Sequence, residues 1–259
     1  MRISIFAADP SLAPDTLPPD LWELLDADER NRAERFIHER HRREHVVAHA
    51  LKRAVISGET GVAPRLCSFA LLAYGKPILV HPNGLHFSLS HTDGLVAVAT
   101  SPDGPVGIDV EPTDREAPLG VAATVFTREE LDWLADCGYS ERNDRFFRLW
   151  TLKEAYVKAT GRGLSEPFDS FTISFEPPSL SCADAAAVGA TAWRFAERRL
   201  VRHRLALAWR GPPASHLTLR LVGLKDITAL ARRHGRTTTG IHAASKPTAS
   251  GSQTPFDVD

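Results

Sequence analysis

Residues 105–113 read PVGIDVEPT, and their alternation decides how the neighbouring segments are organised. The β-branched residues Val106, Ile108 and Val110 predict a strand. Strand side chains point alternately to opposite faces, so Val106, Ile108 and Val110 share one face while Gly107, Asp109 and Glu111 share the other. That second face carries two carboxylates about 7 Å apart beside a glycine that leaves space. Their repulsion has to be relieved by protonation, a cation or solvent. A half-exposed strand with polar residues on its wet face is the plainer reading of the same stretch.

Upstream lie short β-type runs at Ile78–Val80, Leu85–Ser90 and Leu95–Thr100, separated by the turns Pro82-Asn83-Gly84, Thr92-Asp93-Gly94 and Pro102-Asp103-Gly104. With Val106–Glu111 they predict an antiparallel meander. Before them, an apolar run at 3–8 predicts a strand, and helical spacing predicts helices over about 21–38 and 42–57, punctuated by Gly58 and then Gly61 with Pro64. Downstream, Thr127 with Glu130 forms a capping-box pattern. A longer helix follows over 142–160, stopped by Gly161, and then strands at about 171–175, 192–197, 200–209 and 217–222. Helices then strands, twice, predict an α+β protein of two similar halves, 1–104 and 105–232, related by a pseudo-twofold. From 233 to 259 the periodicity is lost, and that segment reads as a disordered tail.

Bulk properties narrow the function. The chain has 259 residues, a hydrophobic fraction of 43%, a charged fraction of 24% and a formal net charge of −1. No global field recruits nucleic acid or a membrane, so anion binding must come from local Arg and Lys. The basic residues of the first helices are diluted by Asp26, Asp28, Glu29, Glu34, Glu39 and Glu44, and no stripe of interleaved aromatics offers base stacking. Cys67, Cys137 and Cys182 are widely spaced and odd in number, which fits a reducing cytoplasm. Asp9 and Pro10 interrupt the N-terminal apolar run before a signal or membrane segment forms.

The stretch LWTLKEAYVKATGRGL, residues 149–164, supplies a third acid. On a helix Leu149, Leu152, Tyr156 and Ala159 form a buried stripe and leave Thr151, Glu154 and Lys158 in a row on another face. An ordinary Glu154–Lys158 helix pair is the plain reading. Of six lysines in the chain, Lys76, Lys153 and Lys158 fall in the segments singled out here, where a phosphate oxygen needs a compact point charge. Three acids without clustered cysteine suit Mg²⁺, with Mn²⁺ as an alternate occupant, and Mg²⁺ completes its shell with water and substrate phosphate. Gly75 and Pro77 fix a turn that presents Lys76, while Ser90 and His91 end a strand where a hydroxyl and an imidazole can meet phosphate.

Taken in order, GKP (75–77), FSLSH (87–91), VGIDVE (106–111) and WTLKEAYVK (150–158) resemble the Sfp-type 4'-phosphopantetheinyl transferases, over about residues 1–225. The resemblance implies a pseudo-twofold α+β monomer with coenzyme A in the cleft between halves. It implies transfer of the phosphopantetheine arm to a serine of an acyl or peptidyl carrier protein of polyketide, nonribosomal peptide or fatty-acid synthases. It places the metal-binding acids on Asp109, Glu111 and Glu154 and the pyrophosphate-contacting lysine on Lys158. Coenzyme A contacts fall on Asp109 and Lys158 as well, on Lys76, Ser90 and His91 at the nucleotide end, and on Arg32 in the first helix. Glu29 stands where a lysine can occur and HRREH (41–45) aligns only loosely, so the residues gripping the 3'-phosphate stay open. In the mechanism this implies, Glu154, or a water oriented by Glu111, takes the serine proton.

Two rival readings remain at this point. His41, His45 and His49 recur at i, i+4 spacing and could seed a zinc hydrolase site, although Arg42 and Arg43 repel a cation and His-Glu-x-x-His is absent. The other is a catalytically silent module that binds coenzyme A or carrier protein.

Overall fold

The computed structural model describes residues 1–12, 16–182, 193–232 and 257–258, and its elements begin and end where polar caps interrupt the apolar periodicity. Strand β1 (Arg2–Ala8) opens the chain, with Ile3, Ile5 and Ala7 buried on one face. The expected helix over 21–38 is two helices, α1 (Pro19–Leu24) and α2 (Ala27–Glu34). The break has a local cause. Leu25 is extended, and Asp26 caps α2 by accepting the Glu29 N–H while the Glu29 carboxylate accepts the Asp26 N–H, a reciprocal bond that a continuous helix would forbid.

Helix α3 (Glu39–Thr60) runs through Gly58 and stops at Gly61, which adopts the left-handed conformation at φ 76°. Gly58 is therefore a packing glycine and not the stop: a Cβ there would lie 2.5 Å from the Leu230 carbonyl oxygen. Strands β2 (Ser68–Leu71), β3 (Pro77–His81), β4 (His86–Thr92), β5 (Leu95–Ser101) and β6 (Val106–Pro112) follow. Helices α4 (Ala122–Val125), α5 (Arg128–Ala135) and α6 (Tyr139–Thr160) lead to β7 (Phe171–Ser174), β8 (Ser179–Cys182), β9 (Trp193–Arg199), β10 (His203–Arg210), β11 (His216–Leu221), α7 (Ile227–Leu230) and β12 (Asp257–Val258). The Thr127 capping box of α5 forms as its sequence predicts.

The expected meander is only partly present. β4 and β5 pair as a hairpin, but β3 pairs with β2, and β6 leaves for another sheet. One sheet has the order β12-β11-β1-β5-β4, the other β6-β10-β9. β6 changes sheet because both its faces are buried, and only a strand sandwiched between the first sheet and α6 satisfies Val106, Ile108 and Val110 on one side and Gly107 and Asp109 on the other. The apolar side of β6 packs with Ile3, Ile5, Ala97 and Ala99, so one core lies between the sheets. A second core lies under α6 and a third under α1–α3.

Each half sets a 22-residue helix, α3 or α6, on a sheet, mixed in the first half and antiparallel in the second, which makes the chain α+β. The chain also crosses back. β11 pairs in parallel with β1, and Ile227 and Leu230 of α7 join the core under α3, so residues 216–230, read from sequence as part of the second half, sit in the first. The expected tail lies outside the described residues except for 257–258.

Candidate active site

The carboxylate face of β6 is built by a close approach of helix and strand. α6 crosses β6 at Gly107, where a Cβ would lie 2.0 Å from the Ala155 carbonyl oxygen and 2.4 Å from the Ala159 nitrogen. Only glycine permits that spacing, which buries Asp109 to 4% exposure and brings the last turns of α6 over it. Lys158 Nζ donates to Asp109 Oδ1 at 2.5 Å and to Ser90 Oγ at 2.9 Å, and the Ser90 hydroxyl donates to Asp109 Oδ1 at 2.9 Å. Asp109 Oδ2 is buried without a hydrogen-bond partner among the described residues.

The other two acids gather at the same place. Burial, and then the charge of Asp109, pushes Glu154 up to about 7; Lys158 opposes the shift and Glu111 adds to it. Burial followed by Asp109 also raises Glu111, against the pull of Arg115, Lys158 and a hydrogen bond from Trp150. Arg115 Nη2 donates to Glu111 Oε2 at 2.6 Å. The three carboxylates thus feel one another's charge. As the side chains lie, no three His, Cys, Asp or Glu groups among the described residues converge to metal-ligand distance, Asp109 and Glu111 each being turned to a cationic side chain. An oxygen-only donor set with one buried, unpartnered carboxylate oxygen fits a hard divalent cation.

A cavity of about 280 Å³ opens beside Glu154 and Lys158, walled by Tyr74, Lys76, Phe87 and Phe168. The Lys76 ammonium donates to the Ala159 carbonyl at 2.9 Å and the Val106 carbonyl at 3.4 Å, tying the β2–β3 turn to the end of α6, and burial pushes it down to about 8. His91 lies on the opposite face of β4 from Ser90; crowding by neighbouring groups lowers its imidazole, as do the charges of Lys158, His49 and Arg32. Arg32 is exposed in a surface depression with Asn31, Arg35 and Phe36. Asp109, Glu111, Glu154, Lys158, Ser90 and Lys76 therefore meet around the junction of β4, β6 and α6, with His91 and Arg32 at its edge.

Several sequence expectations need correcting. Thr151 does not share the polar row: it is buried, and its hydroxyl donates to the Phe147 carbonyl at 2.8 Å. Ser90 turns its hydroxyl inward, donating to Asp109 Oδ1. Lys153 is fully buried, paired with Glu130 at 2.8 Å and donating to the Phe168 and Phe171 carbonyls. The helical wheel held the signal, since five residues turn a helix by about 500°, setting Lys153 about 140° from Lys158. His45 meets the Glu29 carbonyl at 3.0 Å and His49 its carboxylate at 2.8 Å, which uses two of the three histidines of the zinc alternative within a largely buried network. Arg115 and Trp150, which contact Glu111, were not singled out by the sequence. Arg115 sits in an irregular loop where spacing carries no information, whereas Trp150 lies one turn before Glu154 on α6.

A family model described as 4'-phosphopantetheinyl transferase superfamily matches residues 105–208, and one described as 4'-phosphopantetheinyl transferase, N-terminal, matches residues 20–103. The 4'-phosphopantetheinyl transferase HetI of Nostoc sp. is 34% identical over 178 residues, which is 66% of this chain and 75% of HetI. The chain belongs to the 4'-phosphopantetheinyl transferase superfamily. Other members of that superfamily agree with the placement. The transferase ffp of Bacillus subtilis is 33% identical over 153 residues, 59% of this chain and 67% of its own, and gsp of Aneurinibacillus migulanus is 40% identical over 100 residues, 39% and 40% of the two chains. This 4'-phosphopantetheinyl transferase has no helix among its described residues long and apolar enough to cross a membrane.

Proposed function

We propose that this transferase moves the 4'-phosphopantetheine arm of coenzyme A onto a serine of an apo acyl or peptidyl carrier protein, acting as a cytoplasmic monomer and releasing adenosine 3',5'-bisphosphate. The observation that carries this reading is the knot of Asp109, Ser90 and Lys158 beside Glu154 at the head of the inter-half cavity. A diphosphate entering there meets one ammonium and three acids, a combination that holds phosphate only with an added cation. Asp109, Glu111 and Glu154 would hold Mg²⁺, or Mn²⁺ in its place. That ion, when bound, neutralises charge on the pyrophosphate.

The chain's own residues do the rest. Glu154, or a water oriented by Glu111, takes the proton from the attacking serine. The serine oxygen then bonds to the β-phosphorus while the bond from that phosphorus to the bridging oxygen breaks. The leaving adenosine bisphosphate keeps the electron pair, and Lys158 stabilises the charge it carries. Lys76, His91 and Arg32 favour the nucleotide end through their positive charge or hydrogen-bond donors. The partner is the carrier domain of a polyketide, nonribosomal peptide or fatty-acid synthase.

Mass spectrometry of several apo carrier proteins incubated with enzyme, coenzyme A and Mg²⁺ tests the reading. The expected result is a gain of one phosphopantetheine on the carrier serine. Coenzyme A binding without labelling of any carrier would overturn it in favour of a silent binding module.

A further inference from the structure

We propose that the tip of the β9–β10 hairpin, residues 198–202, is a docking contact for an acidic face of the carrier domain, with Val201 as its apolar anchor. The inference rests on the transferase reading above. Val201 is 98% exposed, and Arg199 and Arg202 beside it are exposed as well. A lone exposed apolar side chain is ordinary on a protein surface. Its setting is not. Leu200 donates its N–H to the His203 carbonyl at 2.8 Å, so the loop between the strands is Val201-Arg202 alone. Two-residue loops favour Asn-Gly, or glycine at positive φ, and suit a β-branched residue poorly. Neither Val201 nor Arg202 takes a positive φ. The turn is held from outside instead. The Thr113 N–H donates to the Arg202 carbonyl at 2.8 Å, Arg202 Nε donates to Asp114 Oδ2 at 2.6 Å, and His203 Nε2 meets the Asp93 carbonyl at 2.8 Å. A sequence that works against its own turn, yet is fixed in place by neighbours, points to residues kept for what they meet.

The same bonds put the tip beside the site. Arg204 stands opposite Glu111 in the β10–β6 register, and Thr113 follows Glu111 by two residues. Asp93, in the first half, follows His91 by two. A partner that brings a serine to Glu111 and Glu154 therefore arrives next to Val201. The charge is also selective. Residues 193–204 contain five arginines and one acid, Glu197. Around the tip Arg148, Arg198, Arg199, Arg202 and Arg204 are set against Asp114, Asp144 and Glu197, which leaves two positive charges in excess. Arg198 has no acid within ion-pair distance among the described residues. Arginine around an apolar centre is the composition of an interface anchor, and the excess charge favours an acidic partner.

The experiment measures KM and kcat for an apo carrier protein, together with coenzyme A affinity by calorimetry, in wild type, V201N/R202G and Arg198→Glu. The double variant installs the favoured turn while removing the anchor, and Arg198→Glu reverses a charge that no ion pair of the fold uses. Each is expected to raise the carrier KM by about ten-fold, the size of one anchoring contact, with the loss in KM and not in kcat and with coenzyme A bound as in wild type. The Arg198→Glu defect should shrink at high salt, where exposed charges are screened, and the V201N/R202G defect should shrink less. Wild-type carrier KM in both variants, or a loss of coenzyme A affinity in either, would overturn the proposal. Phosphatidylserine vesicles that retain wild type and release V201N/R202G, with carrier KM unchanged, would assign the tip to a lipid surface and overturn it too. If wild type labels no carrier, the transferase reading fails first; if wild type labels carriers and the variants match it, the docking assignment fails alone.

Discussion

Replacing Gly107 by alanine should separate catalysis from stability, because the contact it disturbs is both a packing point and the gauge of the site. The new Cβ would stand 2.0 Å from the Ala155 carbonyl oxygen, against an ordinary contact of at least 3.4 Å, so β6 and α6 have to part by about 1.4 Å at the crossing. Both atoms at the crossing are backbone, so no side-chain rotation relieves the clash. Overpacking of this kind costs about 1–3 kcal/mol. In a protein of this size that lowers the melting temperature by roughly 2–12 °C. The catalytic effect is larger. Glu154 and Lys158 flank the crossing on α6, and the 2.5 Å bond from Lys158 to Asp109 cannot survive such a displacement unchanged. A misplacement of about 1 Å costs on the order of 100-fold in turnover. Circular dichroism melting gives the first quantity and mass-spectrometric carrier labelling at saturating coenzyme A the second. A Gly107→Ala protein that melts and labels like wild type would refute the close approach of helix and strand.

Three further outcomes are expected. Lys153→Met leaves Glu130 charged in a site where both side chains are 0% exposed, and should cost about 3–5 kcal/mol in urea unfolding; wild-type stability would contradict the pairing. Burial alone would raise Glu29, but His49, Lys52 and Arg53 hold it well below the usual carboxylate range, so its contribution is fully present above an unfolded glutamate value of about 4.3 and is lost as pH falls below it. Unfolding followed from pH 7 to pH 3 should therefore show an acid loss that Glu29→Gln flattens, and an equal acid slope in the variant would count against the network. Arg115→Ala frees Glu111 from an exposed ion pair worth at most about 1 kcal/mol, so calorimetry should show Mn²⁺ binding up to about five-fold tighter at low salt, whereas weaker binding would mean that Arg115 orients Glu111 for the ion.

Local, periodic features were legible in the sequence, and features that depend on a neighbour were not. The alternation of Val106, Ile108 and Val110 against Gly107, Asp109 and Glu111 appears in the fold with the faces predicted. The Thr127 cap and the stop at Gly161 also form where their residue types require them. The break at Asp26 was missed because helical spacing continues across it, while the cap that stops it is a side-chain bond that spacing does not register. β6 was placed in a meander because turn residues precede it; its actual partner, β10, lies about a hundred residues later and carries no local mark. Lys153 was misjudged for a related reason: composition put it beside phosphate-handling residues, but its ammonium is spent inside the protein on Glu130 and on the Phe168 and Phe171 carbonyls.

A crystal of the protein grown with coenzyme A and Mn²⁺, with data collected at the manganese absorption edge, tests the central claim most directly. The account predicts one anomalous peak contacting Asp109, Glu111 and Glu154 beside the pyrophosphate, with Lys158 on the phosphate side. A peak bound elsewhere, or a pyrophosphate seated away from β6 with no manganese between it and these acids, would contradict it.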